Sequence, residues 1–375
     1  MEEGRLPDSC IRDLAYLAAC AVKEEKPDIN RVHDPEAALR LATRHSLGAA
    51  VAMALEKAGY RTPETNKASG TAIRRAVFFE NAWEAIRQKL EEKQIWYMLL
   101  KGAVLKDLYP QVGMREMSDY DILIDASRVY DVKQIMESLG YQAGISRHGV
   151  HESYHKEPVL NFEMHRALFG NSHASGLTAY YRDFQKRLTG DGPEKQFSPE
   201  DFYIYLIAHE YKHYTGGGTG LRSLLDTYVY LMKVNPDMEY IDRETERAGF
   251  HEFEIKNRTL AQHLFNGEAI SSEERLMLDY ILDSGTYGTE QHHIQNQIRE
   301  KGSRRRYFLS RLTLPYEQML EYYPILERRP VLYPVCWIHR LINGFFFKHR
   351  KFMMQLNGAL GRDQSKHISG GSYPP

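Results

Sequence analysis

Cysteine is scarce and scattered: Cys10, Cys20 and Cys336 form an odd set without CxxC spacing. That argues against a disulfide scaffold or a Cys-ligated zinc and fits a reducing compartment. Long hydrophobic runs are also missing, and none approaches the ~18 residues that a bilayer span needs. The opening "MEEGRLPDSC" lacks the basic start and apolar core of a signal peptide. A cytoplasmic location is therefore expected. Net charge is nearly absent, with 49 Lys+Arg against 50 Asp+Glu leaving −1. Global electrostatics gives no basis for a nucleic-acid coat or an acidic tail, so a charged partner has to be bound locally. There is no internal repeat and no low-complexity tract. What is present is length: 375 residues, enough for two or three packed units with ample core.

Apolar spacing at Ile11, Leu14, Leu17 and Ala21, and again after Pro35 through Leu39, Leu41, Leu47 and Met53, predicts helices over residues 8–60. "RTPETNKASG" reads as a polar break before a long amphipathic helix beginning at "TAIRRAVFFENAW". "IWYMLL" then reads as a short buried strand running into Lys101-Gly102, followed by a helix that Pro110 closes. The most informative stretch is "MREMSDYDILID", after a Gly113 turn. Strand alternation sends Asp119, Asp121, Leu123 and Asp125 one way and Tyr120, Ile122 and Ile124 the other. The second set makes a core face. The first gathers carboxylates at close range, which is costly unless they meet solvent, a positive partner or a divalent cation.

A helix ending at Gly140 follows, then a strand at "VLNFEMHRAL" in which Asn161, Glu163 and His165 share a face. Beside the Asp strand, Glu163 would bring a third carboxylate to the same point. From Ser198, an apparent N-cap, the chain reads as helical, with one interruption at "TGGGTG". The expected fold is α/β: a small mixed sheet with a helical N-terminal segment (1–70), a central core (71–195), a large helical C-terminal part (196–360) and a flexible tail (361–375).

Three carboxylates suit Mg²⁺, which prefers oxygen ligands and binds through carboxylates plus substrate phosphates. Paired ions align an attacking hydroxyl and a pyrophosphate leaving group. Lys101 and the Gly102 backbone could approach phosphates, and Asp119, Asp121 and Glu163 could hold the metal. At these residues the sequence resembles the polymerase-beta-like nucleotidyltransferase superfamily. More closely, "LLKGAVLKDLYP", "MREMSDYDILID", "LNFEMHRAL", "LIAHEYKHY" and "LRSLLDTYVYL" resemble the bacterial family of uncharacterised nucleotidyltransferases, over roughly residues 75–345. The resemblance implies that Asp119 and Asp121 bind Mg²⁺ (or Mn²⁺), that Glu163 completes the acidic set and can act as base, and that Lys101 and Gly102 occupy the phosphate loop. The superfamily's usual Gly-Ser pair is replaced here by Lys101-Gly102-Ala103. It also implies transfer of a nucleoside monophosphate from an NTP to a small-molecule, peptide or protein acceptor, a long nucleic acid being disfavoured by the charge balance.

Arg115 is a further residue for the triphosphate, and His165, His209, Arg222 and Asp226 are candidates for the pocket lining. Two alternatives stand beside this reading. One is a nucleotide-binding partner protein without turnover. The other is a zinc peptidase, since "HEYKH" places His209 and His213 at i and i+4 with Glu210 between them and Asp226 or Glu239 as third ligand. The stretch "HRLINGFFFKHRKFMMQL" is expected to dock as a terminal helix in preference to resting on a membrane.

Overall fold

The computed structural model describes residues 7–144, 150–170, 175–286, 288–314, 316–323 and 325–346. The chain divides into two compact units, Met1–Tyr214 with Gly218–Tyr287, and Thr215–Gly217 with Gly288–Pro375. The first unit opens with helices α1 (Asp8–Val22), α2 (Pro35–Arg44), α3 (Gly48–Lys57) and α4 (Pro63–Glu92). Asp34 caps α2, its side chain accepting from the Ala37 amide with Pro35 at the first helical position.

The expected break at "RTPETNKASG" is instead the start of α4. Thr62 and Thr65 cap each other's backbone amides there and Pro63 opens the first turn, so turn-forming residues act as a helix start. Gly70 is carried inside the helix.

The sheet has strand order β1-β2-β5-β4-β3, with β1 Tyr97–Leu99, β2 Tyr120–Ile124, β3 Gln142–Ala143, β4 His151–Lys156 and β5 Leu160–His165. β2 pairs antiparallel with β1 and parallel with β5, and β4 pairs antiparallel with β5 and β3. The fold is thus mixed α/β, as the sequence predicts. The hairpin partner β4 was not foreseen, because "HESYHK" carries no apolar alternation to announce a strand.

Helix α5 (Gly102–Leu105) follows β1 and α6 (Val129–Ser138) follows β2. The remaining helices of this unit are α7 (Ser175–Tyr180), α8 (Pro199–Gly216), α9 (Leu221–Val234), α10 (Met238–Ala248), α11 (His251–Asn266) and α12 (Ser272–Ser284). Ser198 accepts from the Asp201 amide at the start of α8.

Strand β2 is buried along its whole length. Tyr120, Ile122 and Ile124 pack with Phe79, Trp83 and Ile86 of α4 and with Val132 and Ile135 of α6. On the other face, Leu123 joins Met98, Leu100 and the α8 residues Tyr205 and Leu206. Asp121 therefore lies between a sheet and a helix, a place where a carboxylate must be matched. A third core joins α1, α2 and α3 to α9, α11 and α12. The second unit contains α13 (Glu290–Glu300), α14 (Arg304–Leu312), α15 (Tyr316–Tyr322), α16 (Ile325–Arg328) and α17 (Tyr333–Phe346). Its core is small, formed by Leu314, Met319, Leu326 and Cys336. The expected tail, and most of the aromatic-basic stretch after residue 346, lie outside the described residues.

Candidate active site

Parallel pairing of β2 with β5 sets Asp121 directly beside Glu163 and Leu123 beside His165. Antiparallel pairing of β4 with β5 sets His151 opposite His165 and Ser153 opposite Glu163. Lys101 donates to Asp121 Oδ1 at 2.7 Å, and His165 Nε2 lies 2.8 Å from the same oxygen. Burial alone would raise the Asp121 pKa, but Lys101 and then His165 overcome it and hold the carboxyl well below the usual range. Burial would likewise lower the Lys101 pKa, and Asp121 more than reverses it.

Asp119 behaves in the opposite way. Its pKa is raised, first by burial and then by the Asp121 carboxylate, with Glu163 adding to the effect and Lys101 and Arg222 opposing it. The sheet thus concentrates more negative charge than the Lys101 ammonium offsets at Asp119. A divalent cation suits that imbalance, and carboxylate oxygens are the donors that hard cations take.

Lys101, between β1 and α5, has φ 44° and ψ −118°, a conformation that costs an L-residue roughly 1–3 kcal/mol. The turn aims its side chain back across β2 at Asp121. Gly102 is required behind it, because a Cβ there would clash with Arg115 Nη1 and lie 3.3 Å from Met117 Sδ. Arg115 itself is buried, and its Nε and Nη2 each donate at 2.8 Å to Asp226, which also accepts from Tyr109 at 2.7 Å. Two of its three guanidinium nitrogens thus belong to the Asp226 pair, and the third backs the Gly102 turn. Asp226 is the buried anchor of this group. Arg222 donates to the Glu116 carbonyl at 2.9 Å.

A cavity of about 720 Å³ lies behind the 115–117 segment, lined among others by Arg40, Tyr60, Arg75, Arg115, Glu116 and Met117. The acidic cluster does not line it.

Helix α8 covers the acids with Tyr205, His209 and Lys212, spaced i, i+4, i+7 on one face. The His209 pKa is lowered well below its ordinary value by burial and then by Lys101. That of Lys212 is lowered by burial and then by Lys101, with Asp121 and Glu163 opposing. Tyr205, Lys212 and His151 were missed in the sequence. The helical spacing from His209 could have found the first two.

Glu210 points to the other side of α8, where it accepts from Asn257 at 2.8 Å. Burial and then Asp226 raise its pKa well above the ordinary value. His209 Nε2 and His213 Nε2 are 3.1 Å apart. Among the described residues, however, no third His, Cys, Asp or Glu joins them within 4.8 Å. The zinc-peptidase alternative is therefore corrected: its base faces away from the imidazoles, and Asp226 is held by Arg115 and Tyr109. Asp125, at the far end of β2, caps the next turn by accepting from the Ser127 amide.

Fold and site together define a protein with two carboxylates, Asp121 and Glu163, side by side on a mixed sheet covered by helices. The model of one family, described as uncharacterised nucleotidyltransferase, matches residues 32–266, well over half of the chain. The chain belongs to this family of nucleotidyltransferases. The match begins before the resemblance quoted above, taking in α2 and α3, and ends at the last residue of α11, well short of residue 345. No curated protein and no solved structure is significantly similar to the chain.

Proposed function

We propose that the chain transfers a nucleoside monophosphate from an NTP to a hydroxyl or amine, releasing pyrophosphate. The observation that carries this reading is the side-by-side placement of Asp121 and Glu163, with Lys101 on Asp121. Asp119, Asp121 and Glu163 would hold Mg²⁺ (or Mn²⁺), which when bound neutralises the triphosphate and polarises the reacting phosphoryl group.

The chain's own residues do the rest. Lys101 presents a cation to the phosphates, and the Gly102 backbone allows close approach. Glu163, at the edge of the cluster, takes the proton of the acceptor. Arg115 acts at one remove, by fixing Gly102. His209, Lys212 and Tyr205 close the site from α8 and exclude water, and Arg222 adds positive charge beside Asp119. The acceptor is a small molecule, peptide or protein, because the charge balance supplies no broad basic surface for a long nucleic acid.

The test is thermal melting of wild type and Asp121→Asn with each NTP, with and without Mg²⁺. At 100 times the dissociation constant, the nucleotide should stabilise wild type by ~2.7 kcal/mol. The shift should require Mg²⁺ and vanish in the variant. A shift without pyrophosphate release against a panel of acceptors supports a nucleotide-binding protein that lacks turnover. No shift with any NTP rejects the reading.

A further inference from the structure

The Glu163 end of the cluster has a different donor chemistry from the Asp119 end. His151 Nε2 and His165 Nε2 each stand 3.6 Å from Glu163 Oε2, too far for a hydrogen bond. All three ligand atoms lie within 4.8 Å of one another. Donors around one ion with bonds near 2.1 Å are separated by ~3.4 Å in a tetrahedral set. Small side-chain rotations on β4 and β5 therefore suffice to close three donors on one point.

The backbone already fixes the arrangement. His151 and His165 are register partners, Glu163 sits two residues from His165 on the same face, and the imidazole centroids are 4.9 Å apart. Strand-borne ligands of this kind are held more rigidly than loop-borne ones. His165 is 5 % exposed, and its Nδ1 has no partner. No second hydrogen bond locks the ring in one tautomer, so Nε2 can offer a proton to Asp121 or a lone pair to an ion.

We propose that His151, Glu163 and His165 bind a divalent transition cation of the Co²⁺, Ni²⁺ or Zn²⁺ type. Two imidazoles and one carboxylate favour such ions over Mg²⁺, which takes oxygen donors and retains water. The assignment deepens the proposed function, since Glu163 belongs to both, yet the ion can be read without nucleotide.

The experiment titrates chelator-treated full-length protein with Co²⁺ and, separately, Mg²⁺, following calorimetry and the visible Co²⁺ absorption. One equivalent of Co²⁺ should bind at least 10-fold more tightly than Mg²⁺. His151→Ala should weaken Co²⁺ by ~10- to 100-fold. His151→Asn, which keeps a polar group on the strand, should lose a similar share, and circular dichroism checks that both variants fold. His213→Ala should leave Co²⁺ binding as in wild type. Equal affinities for the two metals, Co²⁺ binding that survives both His151 changes, or loss of Co²⁺ in His213→Ala each overturns the site. The Mg²⁺-dependent NTP melting shift on the same samples separates the two readings. Its absence beside tight Co²⁺ binding removes nucleotidyl transfer and leaves the metal site, whereas the converse removes the metal site alone.

Discussion

Asp119 lies just before β2 and Asp121 within it, yet the fold treats them in opposite ways. Lys101 and His165 satisfy Asp121, whereas Asp119 is half-buried near two carboxylates and its pKa is raised. An acid with a raised folded-state pKa costs stability once the pH exceeds its unfolded value, because the folded protein then prefers the proton. Asp119→Asn should therefore melt higher than wild type at neutral pH while losing the Mg²⁺-dependent NTP shift. In wild type, that shift should begin to fade on acidification at a pH above the ordinary aspartate range of ~3.9. Titrating the melting shift from pH 8 to pH 4 checks both statements, and a lower melting temperature for the variant would show that Asp119 is matched in the folded state. The carboxylates themselves were legible in the sequence, since alternation alone puts Asp119, Asp121 and Glu163 on defined faces. Which of them is neutralised was not, because Lys101 reaches Asp121 only through a backbone turn that no propensity announces.

At the scale of elements, α8 carries two environments on opposite faces. His209 and Lys212 look toward the acids, and Glu210 is buried against Asn257 and Thr227. Three residues of "HEYKH" match a zinc motif by spacing, and helical geometry then sends the glutamate away from the imidazoles. The raised Glu210 pKa has the same sign as that of Asp119: stability is lost as pH rises from the unfolded glutamate value toward the folded one. Glu210→Gln keeps an acceptor for Asn257 without the charge. It should raise the melting temperature by about 2 °C at pH 8 and flatten the fall in stability at alkaline pH. The zinc reading expects a loss of activity with no such gain. Long elements were readable for the usual reason, their periodicity. β4 was not, because His151, Ser153 and His155 alternate with Glu152, Tyr154 and Lys156, so neither face is apolar enough to mark a strand. With β4 went His151, the second nitrogen donor beside His165.

At the scale of the whole molecule, each large core lies inside the first unit. The described residues of that unit end at 286, and the described members of its three cores all belong to it. A chain ending at residue 286 should therefore fold cooperatively, with circular dichroism and a single melting transition as readouts, and should keep the Mg²⁺-dependent NTP shift. Aggregation, or a broad non-cooperative melt, would show that the first unit depends on residues 288–375. Partition into helical and sheet-bearing segments was legible from composition and period. Their packing into one unit was not, because the apolar faces of α1 and α3 reveal burial but not that α9 and α11 cover them.

The Lys101–Asp121 contact has a consequence for the order of events at the cluster. A cation that approaches Asp121 must compete with an ammonium 2.7 Å away, and a triphosphate gives that ammonium another anion to meet. On the proposed function, metal and nucleotide would assist each other, and by linkage each would raise the other's affinity by the same factor. The chain's own lysine would then act as a placeholder that makes the two ligands arrive as a pair.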